Sequence, residues 1–297
     1  MNKLNLLCLN FEAKLQKGIR LPEYIGNTIR GALGNALVKT HCKKGAPACA
    51  GCEHNPGCIY TEVFKAESLL ADFSSTPNPY VIKAPWTGRR EFPQGEILRF
   101  SILLLGGACG WFREIIAAVS TMLRGNFGGN LAPSGQLRVF DADDKLIYDN
   151  GTLLGLPCTQ EWSDRPALHT PEVSSAELHF ITPLKMLQKK ELIHAPDFAT
   201  FTDALFGRIA AIIDLYGEAE FVLPYRLFAR KPYIEAMYSL EQVSIKQDKF
   251  CIEGMKGSIV FSGNLTDYLP YLALGTQIHV GKLATRGCGE YTLEILG

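Results

Sequence analysis

The sequence predicts an α+β protein of two tandem ferredoxin-like (βαββαβ) domains, with a cysteine-rich metal-binding insertion in the first. Three observations predict it. A chain of 297 residues has room for two cores of about 150 residues each. Apolar periodicities follow the same strand–helix–strand–strand–helix–strand order twice. Between the repeats, Leu154–Ser175 carries Pro157, Pro166 and Pro171 with several Ser and Thr, the composition of a linker. The domains are drawn at 1–165 and 166–297.

The first domain opens with an apolar strand over Leu4–Phe11 and a helix over Pro22–Thr40, where Pro22 is tolerated because first-turn amides have no partner. A cysteine-rich loop follows, then extended segments at Tyr80–Lys83 and Ile97–Leu105. Gly106-Gly107 stops the second of these. A helix over Trp111–Leu123 and strands at Leu137–Phe140 and Lys145–Tyr148 complete the repeat, with Asp143-Asp144 in their turn. The second domain starts on a strand at Ala176–Thr182. Asp197 caps a helix to about Tyr216, whose stripe of Phe198, Phe201, Leu205, Ile209, Ile212 and Tyr216 reads as core. Strands at Ser239–Lys246 and Lys249–Phe261 follow, then a short helix at Asp267–Ala273. The last strands flank a glycine-rich loop and close with Glu290–Ile295.

A hydrophobic content of 47% and a charged content of 20% describe a soluble globular chain. No stretch approaches membrane-spanning length and no signal peptide stands at the start, so a cytoplasmic protein without membrane contact is expected. The net charge of zero gives no overall case for nucleic acid. Its distribution does better. Arg30, Lys39, Lys43 and Lys44 occupy residues 24–52 with no acid, Arg226, Arg230 and Lys231 do the same in 222–234, and the terminal loop is a third basic island.

Four of the nine cysteines, Cys42, Cys49, Cys52 and Cys58, fall in one loop with Gly45, Pro47, Gly51, Pro56 and Gly57. A reducing compartment disfavours disulfides, and four thiolates this close suit tetrahedral zinc or a cubane cluster. The spacing Cys-x6-Cys-x2-Cys-x5-Cys is similar to the cluster loop of endonuclease III-type DNA glycosylases and favours a 4Fe–4S cluster over zinc. The rest of those glycosylases is absent. A structural role, pinning the loop, is the expectation.

In the terminal loop, Gly281, Gly287 and Gly289 surround Lys282 and Arg286, with no acid until Glu290. Glycines permit positive φ and close backbone approach, and amides beside cations suit a phosphate. The loop opens a strand, not a helix, which argues against a dinucleotide fingerprint. A plain glycine hairpin with solvated charges is the competing reading. Gly281, five residues, Gly287, Cys288, Gly289 and Tyr291 resemble the glycine-rich loop near the C-terminus of the RAMP superfamily, the RNA-binding proteins of CRISPR systems. His279 departs from that pattern, standing where the family often has its first glycine. Residues 253–265, Tyr271–Gly275 and Phe180–Leu184 also resemble the family, so the likeness covers most of 176–297. A weaker echo lies at Arg30–Gly34. The nearest likeness is to the endoribonucleases that cut precursor CRISPR RNA within repeats, some of which carry a four-cysteine loop after the first helix. This resemblance implies tandem ferredoxin-like, RRM-like domains, CRISPR repeat RNA as partner, and metal-independent cutting.

No acid constellation for two-metal phosphoryl chemistry is present in the sequence. Cleavage then proceeds by attack of the ribose 2′-hydroxyl, giving a 2′,3′-cyclic phosphate, and needs a general base, a general acid and a cation. The family often places its histidine in or just after the first helix, which implies His41, flanked by Lys39, Lys43 and Lys44. Competing readings make His41 a ligand or support beside Cys42, or a cap on the helix C-terminus. Tyr24 and Lys39 are the further catalytic candidates. Arg30, Lys43, Lys44, His279, Gly281, Lys282, Arg286, Gly287 and Gly289 are the RNA-binding candidates, with His279 second choice for catalysis. His179, alternating with apolar residues, is expected in the core. A non-catalytic RNA-binding subunit of a CRISPR effector complex and an iron–sulfur regulatory protein are the alternative functions, and monomer or homodimer the oligomeric expectation.

Overall fold

The computed structural model describes residues 2–297 apart from 44–48, 50–51, 55–56, 65–75, 165–171, 223, 225–226, 228–232 and 248–249. The chain divides into two compact units, one of Asn5–Gln160 and one of Met1–Leu4 with Glu161–Gly297. Part of the expected linker, and the cations Arg226, Arg230 and Lys231, lie outside the described residues. Among the described residues, no helix is long and apolar enough to cross a membrane.

The first unit runs β1 (Lys3–Lys14), α1 (Gly26–His41), β2 (Tyr80–Lys83), β3 (Ile97–Leu105), α2 (Phe112–Arg124) and β4 (Gln136–Phe140). Its sheet order is β4-β1-β3-β2, all neighbours antiparallel, with β5 (Leu146–Asp149) and β6 (Thr152–Leu153) added beyond β4. This is the ferredoxin-like order. Alternation along β1 sends Leu7, Leu9, Phe11 and Ala13 into the core with Ile29, Leu33, Leu37, Ile115 and Val119. On the other face Glu12 joins Arg99 at 2.9 Å and Arg138 at 2.7 Å. Asp141 is buried in the β4–β5 turn, where its carboxylate accepts the amides of Asp143, Lys145 and Cys158 at 3.0–3.1 Å.

One boundary differs from expectation. α1 begins at Gly26, so Pro22 and Tyr24 precede it. Ile19 and Arg20 pair with Phe92 and Glu91, and the Leu21 amide donates to Arg90 O at 2.8 Å. That ladder holds the chain extended into Pro22, which itself biases its predecessor away from helix.

The second unit runs β7 (Ser175–Leu184), α3 (Phe198–Tyr216), β8 (Glu235–Gln247), β9 (Phe250–Ser262), α4 (Leu269–Ile278) and β10 (Tyr291–Ile295). Its sheet order, β8-β9-β7-β10, repeats the ferredoxin-like pattern. Asp197 caps α3 as expected, its carboxylate accepting the Thr200 amide at 2.7 Å. Phe198, Phe201, Leu205, Ile209 and Ile212 are buried, while Tyr216 is only half-buried. Phe201, Phe180 and Tyr291 form one aromatic cluster.

Two readings need correction here. The segment before the glycine-rich loop is helix, not strand: α4 carries Tyr271, Leu272, Leu274, Gly275 and Ile278 on its buried face, a 3–4 spacing. A Cβ at Gly275 would strike the Tyr291 hydroxyl, which donates to Leu272 O at 2.6 Å. His179 is exposed, not core. Strand alternation buries Leu178 and Phe180 and leaves His179 on the opposite face, its Nδ1 2.9 Å from Ser258 Oγ.

Candidate nucleic-acid interface

The glycine-rich loop is built by α4, β10 and the irregular end of β7. α4 ends at Ile278, and the chain turns through positive φ at His279 (62°), Gly281 (84°), Leu283 (63°), Gly287 (98°) and Gly289 (71°). A Cβ at Gly289 would overlap Val280 O, and one at Gly281 would come within 2.6 Å of Lys185 O. Glycine is therefore required by shape at both. His279 holds positive φ at a steric cost where a glycine would hold it freely.

The loop's amides are largely committed to the chain itself. Lys282 N donates to Lys185 O (2.7 Å), Arg286 N to Leu283 O (2.9 Å), Gly287 N to Ala284 O (2.9 Å) and Gly289 N to Pro183 O (2.9 Å). Thr182, fully buried, bridges the loop's closing end. Its hydroxyl donates to Gly287 O at 2.7 Å and accepts the Glu290 amide at 2.9 Å. Sequence reading missed Thr182; a hydroxyl amid apolar Phe180–Leu184 was the available signal. The expected cradle of free amides is thus narrowed, because at Lys282, Arg286, Gly287 and Gly289 the N–H groups fold the loop. What faces solvent is charge: Lys282 is exposed and Arg286 half-exposed.

His279 does not stand at this surface. Its side chain has no exposed area, and its amide closes α4 on Gly275 O at 2.8 Å. Beside it, the Arg208 guanidinium on α3 donates through Nε to Ile278 O at 2.9 Å, satisfying a carbonyl at the helix C-terminus.

The other candidates gather on α1. His41 is its last residue, half-buried, between exposed Lys39 and Lys43. Thr40 Oγ1 lies 2.8 Å from Ala36 O and 2.7 Å from His41 Nδ1. The hydroxyl has one proton, and without it the two oxygens would face each other lone pair to lone pair. The proton therefore goes to Ala36 O, and His41 Nδ1–H donates to Thr40. This leaves Nε2 as the acceptor nitrogen of the neutral ring. Arg30 lies on the same helix face but three turns away, roughly 16 Å along the axis. Its guanidinium stacks 4.4 Å from the Phe64 ring centre, and Phe64 fills the space over Gly34, where a Cβ would collide with it. Arg30 and His41 are thus not brought together. Tyr24 is fully buried, edge-on to Trp86 at 6.2 Å, which removes it from any surface role. Lys44 lies outside the described residues.

Cys42 caps α1, its amide donating to Val38 O at 3.0 Å. The Cys52 amide turns back to Cys49 O at 3.2 Å, and Cys58 O anchors the Tyr60–Phe64 turn through the Thr61 and Glu62 amides. All four cysteines are half-buried. Burial, then proximity to Cys49 and Cys42, raises the Tyr60 hydroxyl above its ordinary range against the opposing Arg30 charge. Even so, the described residues hold no group of three or more His, Cys, Asp or Glu side chains arranged for a metal ion.

Residues 4–157, just over half of the chain, match the AF_1859_N family model, described as an N-terminal domain. Residues 178–291 match the model described as CRISPR-associated endoribonuclease Cas6. The chain carries an AF_1859_N-type N-terminal domain followed by a Cas6 domain. An uncharacterized protein of Archaeoglobus fulgidus is 23% identical over 283 residues, covering 92% of this chain and 93% of that one. A solved partial Cas6-RT-Cas1–Cas2 complex shares the fold at a TM-score of 0.62 and 15% identity, over 99% of this chain and 46% of that one. The chain thus spans less than half the length of that larger protein. A Cas6 product complex matches at 0.58 and 14%, covering 97% and 99% of the two chains. The Thermus thermophilus Cas6 matches at 0.55 and 15%, covering 98% and 99%. These likenesses agree on tandem ferredoxin-like domains. Within the Cas6 match lie the whole glycine-rich loop and Thr182, while His41 and the cysteine loop lie in the N-terminal match.

Proposed function

We propose that this protein binds precursor CRISPR RNA through its repeats in the cytoplasm and cleaves it without a metal at the scissile phosphate. His41 abstracts the 2′-hydroxyl proton through Nε2. The 2′-oxygen then bonds to phosphorus as the bond to the 5′-oxygen breaks, and that oxygen takes a proton from water, leaving a 2′,3′-cyclic phosphate and a 5′-hydroxyl. Lys39 and Lys43, exposed on either side of His41, supply the cations for the charge that builds on the phosphorane oxygens. Lys282 and Arg286 bind backbone phosphate at the glycine-rich loop. The observation that carries the catalytic assignment is the Thr40–His41 hydrogen bond, which presents Nε2 as an acceptor at the basic end of α1.

Cys42, Cys49, Cys52 and Cys58 are the residues that would hold a structural metal centre, 4Fe–4S ahead of zinc; no step of the cleavage runs through it. Absorbance and metal analysis of anaerobically purified protein decide that point. Incubation with a repeat RNA in EDTA tests the reaction. Cyclic-phosphate products, lost in His41→Ala, support it. Tight binding without cleavage instead supports the non-catalytic subunit of an effector complex.

A further inference from the structure

Directly after β7 the chain makes a small hairpin that neither the fold nor the cleavage reaction requires. Leu187 pairs with Leu192 and Gln188 with Glu191, and the Ile193 amide donates to Met186 O at 2.9 Å. A two-residue turn, Lys189-Lys190, joins the strands. Both lysines are exposed, and both hold positive φ, 50° and 73°. Turns of this kind favour Asn-Gly or Asp-Gly, because side chains with a full Cβ substituent strain there. Two adjacent lysines in left-handed backbone are a poor choice for folding. Such an outlier points to function.

The hairpin is tied to the glycine-rich loop at its base. Met186 is buried, and Lys185 O, the residue before it, accepts the Lys282 amide at 2.7 Å. Lys185, Lys189 and Lys190 therefore continue the basic surface of Lys282 and Arg286, with Glu191 the first acid along this stretch. From Lys185 to the tip is roughly 13 Å of extended chain, the length of about four stacked nucleotides.

We infer that the Lys189-Lys190 turn is a second phosphate-binding arm, gripping the RNA backbone a few nucleotides beyond the contact made at the glycine-rich loop. This rests on the RNA-binding reading above and extends it to a site outside that loop. The arm reads no bases, since point charges on flexible stems carry no sequence information.

The decisive variant is Lys189→Asn with Lys190→Gly, which removes both charges while installing the turn residues that this backbone favours. Its melting temperature should rise, so weakened binding cannot be attributed to misfolding. Binding is measured by fluorescence anisotropy over a KCl series, using the full chain and a repeat RNA carrying 2′-methoxy groups, which cannot be cut by 2′-hydroxyl attack. The slope of log affinity against log salt should become shallower by about 1.4, at about 0.7 per single-strand phosphate contact. RNAs shortened from the end that lies over the arm should bind wild type and variant alike. An unchanged slope in the variant, with wild type still binding, overturns the arm and leaves the RNA-binding reading intact. Failure of the wild type to bind any repeat RNA overturns both.

Discussion

Thr182→Val removes one hydroxyl from the centre of the glycine-rich loop and keeps the β-branched shape. Two bonds go with it: Gly287 O loses its donor and the Glu290 amide loses its acceptor. Each polar group left unpaired in a buried setting costs about 1–3 kcal/mol. Glu290 is only half-buried and water can reach part of that end, so the lower half of the combined range applies, about 3 kcal/mol. For a unit of this size that lowers Tm by roughly 10 °C. Thr182→Ser retains both bonds and should stay within about 1 kcal/mol of wild type. Urea unfolding of both variants measures the difference, followed by RNA binding at a temperature where each is folded. Valine within about 0.5 kcal/mol of wild type would refute the claim that this hydroxyl holds the loop. Serine as damaging as valine would refute it too, because then shape and not hydrogen bonding is at stake.

Thr40→Val leaves His41 Nδ1 without its acceptor, so single-turnover cleavage should slow about fivefold to tenfold at unchanged KM, the worth of one hydrogen bond. Thr40→Ser should restore the rate, and ¹⁵N shifts of His41 should report Nδ1–H in wild type only. An unaffected rate in Thr40→Val, where His41→Ala abolishes cleavage, excludes the positioning role. Asp141→Asn should destabilise the first unit by about 1–3 kcal/mol near neutral pH, measured by denaturant unfolding. Burial disfavours the ionised Asp141 carboxyl, but the amides of Cys158, Lys145 and Asp143 outweigh it and hold it below the usual carboxylate range. A depressed folded-state pKa gives stability that is present above the unfolded value and lost as pH falls through the folded one. Wild type should accordingly lose stability on acidification below about pH 4, and the Asn variant should lack that part of the acid limb.

The double βαββαβ order was legible because its central strands are unambiguous. Ile97–Leu105 is nearly continuous apolar chain ended by Gly106-Gly107, and Tyr80–Lys83 is short and β-branched, so each ends where local chemistry ends it. The start of α1 was not legible, because the ladder of Ile19-Arg20 with Glu91-Phe92 comes from residues seventy positions away. α4 was read too short for a related reason. Gly275 looks like a helix terminator, but here it admits the Tyr291 hydroxyl against the helix. His179 shows a different failure: alternation tells which residues share a face, not which face is covered. The Lys189-Lys190 turn escaped notice because lysines are poor turn formers, which is the reason they are informative once seen there.

The loop's chemistry also changes what mutation should reveal about it. Were its glycines a cradle of free amides, replacing Gly289 would weaken RNA binding before it weakened the fold. Instead Gly289 N is spent on Pro183 O, and a Cβ there would overlap Val280 O at a positive φ of 71°. Gly289→Ala should therefore destabilise the second unit by more than about 2 kcal/mol, from left-handed strain and the clash together. Lys282→Gln should do the reverse, because its side chain is exposed and only its amide is structural. Its Tm should stay near wild type while the salt slope of RNA binding falls by about 0.7. Glycine and lysine variants of one loop thus separate on two axes, Tm and salt slope. Stable Gly289→Ala protein with weakened RNA binding would show that the amides, not the cations, meet the phosphate.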